Sequence, residues 1–492
     1  MCYDDSCDKD EMVYRNSLMP PKKKPKFGRY TYLSQKYFLF FSEIKSVEFV
    51  FDSSNFPDFR KPNRFFYDFT RFIIEIDKMF STSIRTLMLY RNRRMGKSLL
   101  LSALNYYYNI DYENQYDGLF NGLDIQKHNS NIKNTMYVLK LDFSSISVKD
   151  VETFSFELNA KINHSVREFI KKHGMSEGIL QSDSCLSLFS LDCEMQKAKK
   201  SLLILIDEYD SAITRFFNRL SEMAKLQCKK NEDSDFMNYF RQIFIQLKTL
   251  VTNNSNFYIF LTGVSPQALN DFTSGFNIGL SIGELFNCAN ILGYPEEQIT
   301  EGLKLIRIPN EFKPIVLNKL RDENNGHRYY YGRLEQKSVY NPSKINFCFY
   351  NMKNLMDCVI ENNVKFKDSE DFLNFIFEFP NNVNLNPAES VLMSLMEVPK
   401  IEDILIKFIN CENCVAIEEN LRGPHLLSYW NFNNLNQVMS YLFYLGALTY
   451  APYQTSEKSK KFLKIPNSNA QVEYLDVIKN LKTKKLIKLE GR

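Results

Sequence analysis

Histidine is scarce in this chain, with five among 492 residues. None of them pairs obviously with a Ser or Cys, so no histidine-activated nucleophile can be named. Long apolar runs are missing too. A membrane-crossing helix needs about 18 or more consecutive apolar residues, and the nearest stretch, 37–51, is broken by Glu43, Lys45 and Glu48. The first 26 residues are polar and charged, without the apolar core of a secretory signal. Charge of one sign is also nearly absent: 62 Lys+Arg against 58 Asp+Glu leaves a net +4. That excess does not point to nucleic acid as a partner for the whole chain. The 10 cysteines are irregularly spaced. Without a signal, they read as free thiols in a reducing, intracellular compartment.

What is present is an ordinary globular composition, 44% hydrophobic and 24% charged. At roughly 100–200 residues per domain, the length suggests two to four domains. The 41 Phe and 28 Tyr accompany many Asn, Lys and Ile, a bias that codon usage explains as readily as function. The expected organisation is a flexible basic leader over 1–45, a nucleotide-binding domain over 46–300, a lid or linker over 301–350, and a mainly helical module over 351–492. No internal repeat is visible.

Residues 86–108 predict a strand, a polar loop and a buried helix in succession. Further apolar strands are expected at 136–141, 202–206 and 257–261, with helices between them, such as 236–251. Short continuous apolar runs alternating with helices argue for an α/β fold with a parallel sheet. Residues 225–235 read as a charged surface loop. Helix starts are expected at Pro295-Glu296-Glu297 and at Asn341-Pro342.

A nucleotide phosphate needs backbone N–H donors, a positive side chain and a metal ligand in one place, and a loop entering a helix supplies the first. The pattern G-x-x-x-x-G-K-[ST] combines all three. Here the stretch is Arg91-Asn92-Arg93-Arg94-Met95-Gly96-Lys97-Ser98, with Arg91 in place of the first glycine. The backbone from Arg93 to Leu99 is the candidate phosphate cradle. Lys97 would neutralise β/γ charge, and Ser98 would ligate Mg²⁺. Arg93 and Arg94 could contact phosphate, brace an acid or simply face solvent. The run Leu202-Leu203-Ile204-Leu205-Ile206 ends in Asp207-Glu208, placing acids at the C-terminal edge of a sheet, where open α/β sheets bind ligands. Asp207 would hold Mg²⁺ and Glu208 would activate water. Thr262, at the tip of another strand, is the candidate to read the γ-phosphate or position water.

This set of motifs resembles the AAA-ATPase-like family of P-loop proteins. Its loop typically reads Arg-Pro-Arg-Arg-Phe-Gly-Lys-[Ser/Thr], so Arg91 is what the resemblance implies at that place. Other matching stretches are Asp68-Phe69-Thr70 (with Phe69 for Lys), Leu141-Asp142-Phe143-Ser144 and Asp207-Glu208-Tyr209-Asp210. Thr262-Gly263-Val264-Ser265, Tyr340-Asn341-Pro342, Tyr444-Leu445-Gly446-Ala447-Leu448-Thr449 and Ile465-Pro466-Asn467 follow in the family's order. The resemblance implies a P-loop ATPase that takes ATP and Mg²⁺. Many relatives continue into a PD-(D/E)XK nuclease-like domain, and no Asp followed by Glu-x-Lys occurs after Val472. An ATPase module without that domain is therefore expected.

Two alternatives stand beside hydrolysis: a nucleotide-gated switch with little turnover, and an ATPase that regulates a partner nuclease, or acts on nucleic acid, in a mobile-element or defence-like system. Cys411 and Cys414 have zinc-like spacing but no second ligand pair nearby. The Pro/Lys stretch 20–26 reads as a solubilising linker ahead of a nuclear-import signal, leaving cytoplasm or nucleus open. The C-terminal lysines read as a solvated face, and His327 as part of a surface hairpin. No membrane partner is expected, and the sequence does not set the oligomeric state.

Overall fold

A computed structural model describes residues 47–147, 149–212, 215, 232–264, 266, 279–334, 337–379, 415–418, 435–453 and 460–472. The leader, Ser265, most of 225–235, the Cys411/Cys414 pair and the lysine-rich end lie outside the described residues.

Five strands form one parallel sheet: β1 (Thr86–Tyr90), β2 (Met136–Asp142), β3 (Ser201–Asp207), β4 (Phe257–Gly263) and β5 (Leu280–Ser281). Their order is β2-β3-β4-β1-β5. The chain therefore leaves β1 for the far edge at β2 and works back through β3 and β4. Strand order reverses around β1, and such reversals open a crevice at the C-terminal strand ends.

Buried on both faces, these strands carry apolar residues without the usual alternation. Leu202, Leu203, Ile204, Leu205 and Ile206 are all buried, and alternate residues serve opposite layers. Each such side chain contributes about 1.5–3 kcal/mol when fully buried.

One layer holds α2 (Arg71–Ser81) and α3 (Lys97–Tyr108), packed on Leu87, Leu89, Leu203, Leu205 and Phe260. The opposite layer holds α5 (Val151–Lys172), α6 (Ser184–Lys197) and α7 (Glu232–Asn253), on Leu202, Ile204, Ile206 and Ile259. Two short helices, α1 (Phe56–Phe59) and α4 (Tyr116–Phe120), close the first layer, where Phe56 and Phe120 lie 5.0 Å apart between ring centroids.

A separate core gathers α8 (Glu296–Leu305), α9 (Lys313–Asn324), α10 (Pro342–Asn362) and α11 (Ser369–Ile376) around Leu303, Leu320, Phe349 and Phe372. Phe49 and Phe65 join it from the first described residues. Helix α10 starts as the sequence predicts: the Asn341 side chain accepts from Ser343 N–H and Lys344 N–H, and Pro342 occupies the first helical position.

The C-terminal region is mainly helical among its described residues, as the sequence predicts, and it also carries a small sheet that the sequence does not announce. Beside α12 (Leu435–Leu445) it contains a three-stranded antiparallel sheet of β6 (Val415–Glu418), β7 (Thr449–Tyr450) and β8 (Lys460–Lys464), ordered β6-β8-β7. Strands of two to five residues are too short to print a period of two on the sequence. Among the described residues, no helix is long and apolar enough to cross a membrane.

Candidate phosphate-loop site

The loop between β1 and α3 turns through two left-handed residues, Arg94 (φ +68°) and Gly96 (φ +84°). Glycine tolerates this conformation at no steric cost, whereas arginine is strained there. Helix α3 then begins at Lys97, with Gly96 at its cap and no side chain capping the first turn. The free N–H groups and positive dipole end of that helix are suited to an anion.

A cavity of about 510 Å³ opens over this turn, lined by Arg93, Arg94, Met95, Gly96, Lys97, Ser98 and Leu99, and by Glu208 from the end of β3. Its apolar wall includes Phe66, Tyr67, Phe69 and Leu292. Phe69 stands where the resembling family has lysine, so that position adds an apolar ring here. Its neighbours do structural work: Asp68 accepts from Thr70 and from Asp124 N–H, and Thr70 Oγ1 accepts from Ile125 N–H, tying the start of α2 to the turn at 124–127.

The side chains of the loop divide by depth. Met95 is fully buried in the core, so only its backbone faces the site. Arg93 and Arg94 are exposed. Lys97 is buried, and its ammonium donates to the carbonyls of Arg91 (3.0 Å) and Asn92 (3.2 Å). Burial pulls its pKa down, while the charges of Asp210, Asp207 and Glu208 pull it back up.

The four residues after Ile206 each have a separate task. Asp207 Oδ1 accepts from Thr262 Oγ1 at 2.6 Å and from Glu208 N–H at 3.0 Å. Glu208 adopts φ +49°, which turns the chain sharply off the strand, and it is exposed at the cavity wall. Tyr209 is buried against Gly263, where an added Cβ would lie 2.4 Å from the tyrosine ring. Asp210 is buried and accepts Val264 N–H through both oxygens, at 3.1 and 3.0 Å.

Thr262 differs from its sequence expectation. It is fully buried, and it donates to Asp207 instead of lining the cavity. The parallel register of β3 and β4, with Ile206 opposite Leu261, sets the two residues side by side. Its place is beside the acid, to which it is hydrogen-bonded. His327 also differs: it is buried, bridging to Val339, and burial pushes its pKa down to about 3.

Sequence reading missed how the loop is seated. The Arg91 guanidinium is buried and donates to the carbonyls of Tyr90 (2.9 Å), Gly283 (2.6 Å) and Ala289 (3.0 Å). It stacks on the Tyr329 ring at 3.8 Å. Tyr329 in turn donates its hydroxyl to Asn92 Oδ1. Gly446, at φ +84°, lets the chain after α12 pass so close that a Cβ would sit 2.5 Å from Asn92 Nδ2. Asn341 Nδ2 donates to Arg93 O (3.1 Å) and Ser343 Oγ to Arg94 O (3.1 Å). Apart from Tyr90, the partners are 192 or more positions distant in sequence, beyond the reach of any local pattern.

A strand–loop–helix with a buried lysine, a hydroxyl at the helix start and an acid at the C-terminal end of another strand of the same sheet is an arrangement suited to nucleotide phosphates. A family model described as "Predicted AAA-ATPase" (AAA-ATPase-like) matches residues 52–273. Residues 52–273 are an AAA-ATPase-like domain. That span holds the phosphate loop, Asp207, Glu208 and Thr262. Among solved structures, the chain is similar to the Walker-type ATPase PABY2304 of Pyrococcus abyssi, with 13% identity, 83% of this chain and 96% of that chain covered, and a TM-score of 0.42. It is also similar to the Aeropyrum pernix ORC2 protein in its ADPNP and ADP complexes, with 12% identity, 85% and 93% covered, and a TM-score of 0.36. These likenesses concern the fold alone. No curated protein matches. The AAA-ATPase-like domain is thus a nucleotide-binding P-loop domain by family.

Proposed function

We propose that the domain binds ATP with Mg²⁺ and hydrolyses it. The observation that carries this reading is the shared cavity: phosphate loop and Glu208 line one space, and Asp207, next to Glu208 in the chain, is hydrogen-bonded by Thr262. Lys97 neutralises the β- and γ-phosphate charge, and the N–H groups from Arg94 to Ser98 cradle the phosphates. Glu208 accepts a proton from water, whose oxygen bonds to the γ-phosphorus as the bond to the bridging oxygen breaks, releasing ADP and phosphate.

The donor set fits Mg²⁺. The ion is usually bound by one or two protein oxygens together with substrate phosphates and water, without a dedicated cage. Ser98 and Asp207 supply one hydroxyl and one carboxylate, and the described residues contain no group of three or more His, Cys, Asp or Glu suited to holding a metal by themselves. Bound there, Mg²⁺ would supply charge neutralisation on the phosphates.

Phosphate release by the full chain, with and without Mg²⁺, tests the reading. Wild type is expected to release phosphate only with Mg²⁺, and Glu208→Gln to bind ATP but release phosphate at least ~100-fold more slowly, as loss of a general base implies. Equal rates at background level, with ATP still bound, would leave binding without turnover, the switch reading, and equal rates well above background would take the general-base role from Glu208. Stimulation by added DNA would bring nucleic acid in as a partner.

A further inference from the structure

Peptide units in a phosphate loop have a geometric problem. Each trans peptide sets its N–H opposite its C=O, so fixing one direction fixes the other. A loop that offers N–H groups to a phosphate must find donors for the carbonyls on its other side, or leave them to water and stay mobile. Here two of those carbonyls, Arg93 O and Arg94 O, receive donors from the first turn of α10. The peptides they belong to carry the N–H groups of Arg94 and Met95.

We infer that Asn341 and Ser343 are positioning residues for the phosphate loop, orienting the Arg94 and Met95 N–H groups by gripping the carbonyls behind them. The inference rests on the nucleotide-binding reading of the loop and adds residues outside the matched segment 52–273.

The choice of side chain at 341 is specific. Oδ1 accepts from Ser343 N–H at 3.1 Å and Lys344 N–H at 3.2 Å, capping α10, while Nδ2 donates to Arg93 O at 3.1 Å. The amide does both at once from two separate atoms: aspartate keeps the cap and loses the donor, and alanine loses both. Asn341 is buried, so water does not readily replace the lost donor. The grip also acts on a strained residue, because Arg94 holds φ +68° with its carbonyl fixed by Ser343. These two hydrogen bonds anchor the loop on the 21-residue helix α10.

Asn341→Asp separates the grip from the cap. In the full chain, hydrogen exchange of peptides spanning 91–99 is measured without nucleotide, alongside the melting temperature and the Kd for ATP with Mg²⁺. Loop exchange is expected to quicken and Kd to rise, each about tenfold, the equivalent of one net hydrogen bond. Exchange along α10 is expected to hold, since an acidic cap is as good as an amide one, while the buried carboxylate facing Arg93 O lowers the melting temperature. Asn341→Ala lowers the melting temperature as well, and Ser343→Ala gives a smaller loop effect with α10 intact. Unchanged loop exchange in Asn341→Asp overturns the inference, as does faster exchange spread equally along α10. Faster loop exchange in a protein whose wild type binds no ATP supports the grip and sinks the nucleotide reading instead.

Discussion

Restoring glycine at position 91 recreates the usual phosphate-loop pattern, and the structure says it will harm this protein. Arg91 has no need of glycine's freedom, since the only non-glycine residue of the loop with positive φ is Arg94. Its guanidinium instead fills a buried site and satisfies carbonyls of Tyr90, Gly283 and Ala289. Each hydrogen bond from a charged donor nets about 1.5–3 kcal/mol. Burying the charge costs several kcal/mol in return, and burial accordingly lowers the Arg91 pKa. Removing it leaves those carbonyls unpaired and Tyr329 without its stacked partner, so the expected loss is about 3–5 kcal/mol. For a domain of roughly 200 residues this is on the order of 10 °C in melting temperature. Thermal unfolding followed by circular dichroism, with ATP titration at 20 °C below the midpoint, measures both effects. Arg91→Lys is expected to recover only part of the loss, because a single ammonium cannot match the planar fork. An Arg91→Gly protein that melts within about 2 °C of wild type and binds ATP more tightly would refute the reasoning.

Two further outcomes follow from the same geometry. Thr262→Val keeps the buried shape but removes the donor to Asp207, so Mg²⁺-dependent turnover should fall 10–100-fold, the usual cost of losing an orienting partner; a stable variant with wild-type Mg²⁺ dependence contradicts the role given to Thr262. His327 supplies a pH test. Burial first, and the Lys344 charge second, hold its pKa at about 3, against roughly 6.5 in the unfolded chain. Above about pH 6.5 it is neutral in both states and adds no pH dependence. As pH falls from there towards 3, only the unfolded chain takes the proton, and stability drops by up to ~1.4 kcal/mol per pH unit. The stability of His327→Phe should therefore fall less steeply than wild type in that window by about that amount, and parallel curves would show that His327 is not the group responsible.

How much of this was legible in the sequence depends on distance along the chain. Thr86–Tyr90 is five apolar or β-favouring residues in a row, and the strand has those bounds. Asp207 and Glu208 follow an unbroken apolar run, so their place at the sheet edge could be read directly. Thr262 could be placed at a strand tip, but not beside Asp207, because nothing local says that β4 lies between β1 and β3. Arg91 looked like a substitution in a loop. Its meaning lies in Gly283, Ala289 and Tyr329, and only the folded chain brings those together. His327 sits among tyrosines that suggested a surface turn, yet it is buried, with the Tyr329 ring stacked 6.4 Å away.

The central claim is that the buried lysine of the phosphate loop binds the phosphates of ATP. An equilibrium titration of ATP with Mg²⁺ against wild type and Lys97→Ala tests it most directly. Charge-assisted contacts worth about 1.5–3 kcal/mol predict a Kd raised by roughly 10- to 150-fold in the variant. A folded Lys97→Ala protein that binds ATP as tightly as wild type contradicts the account.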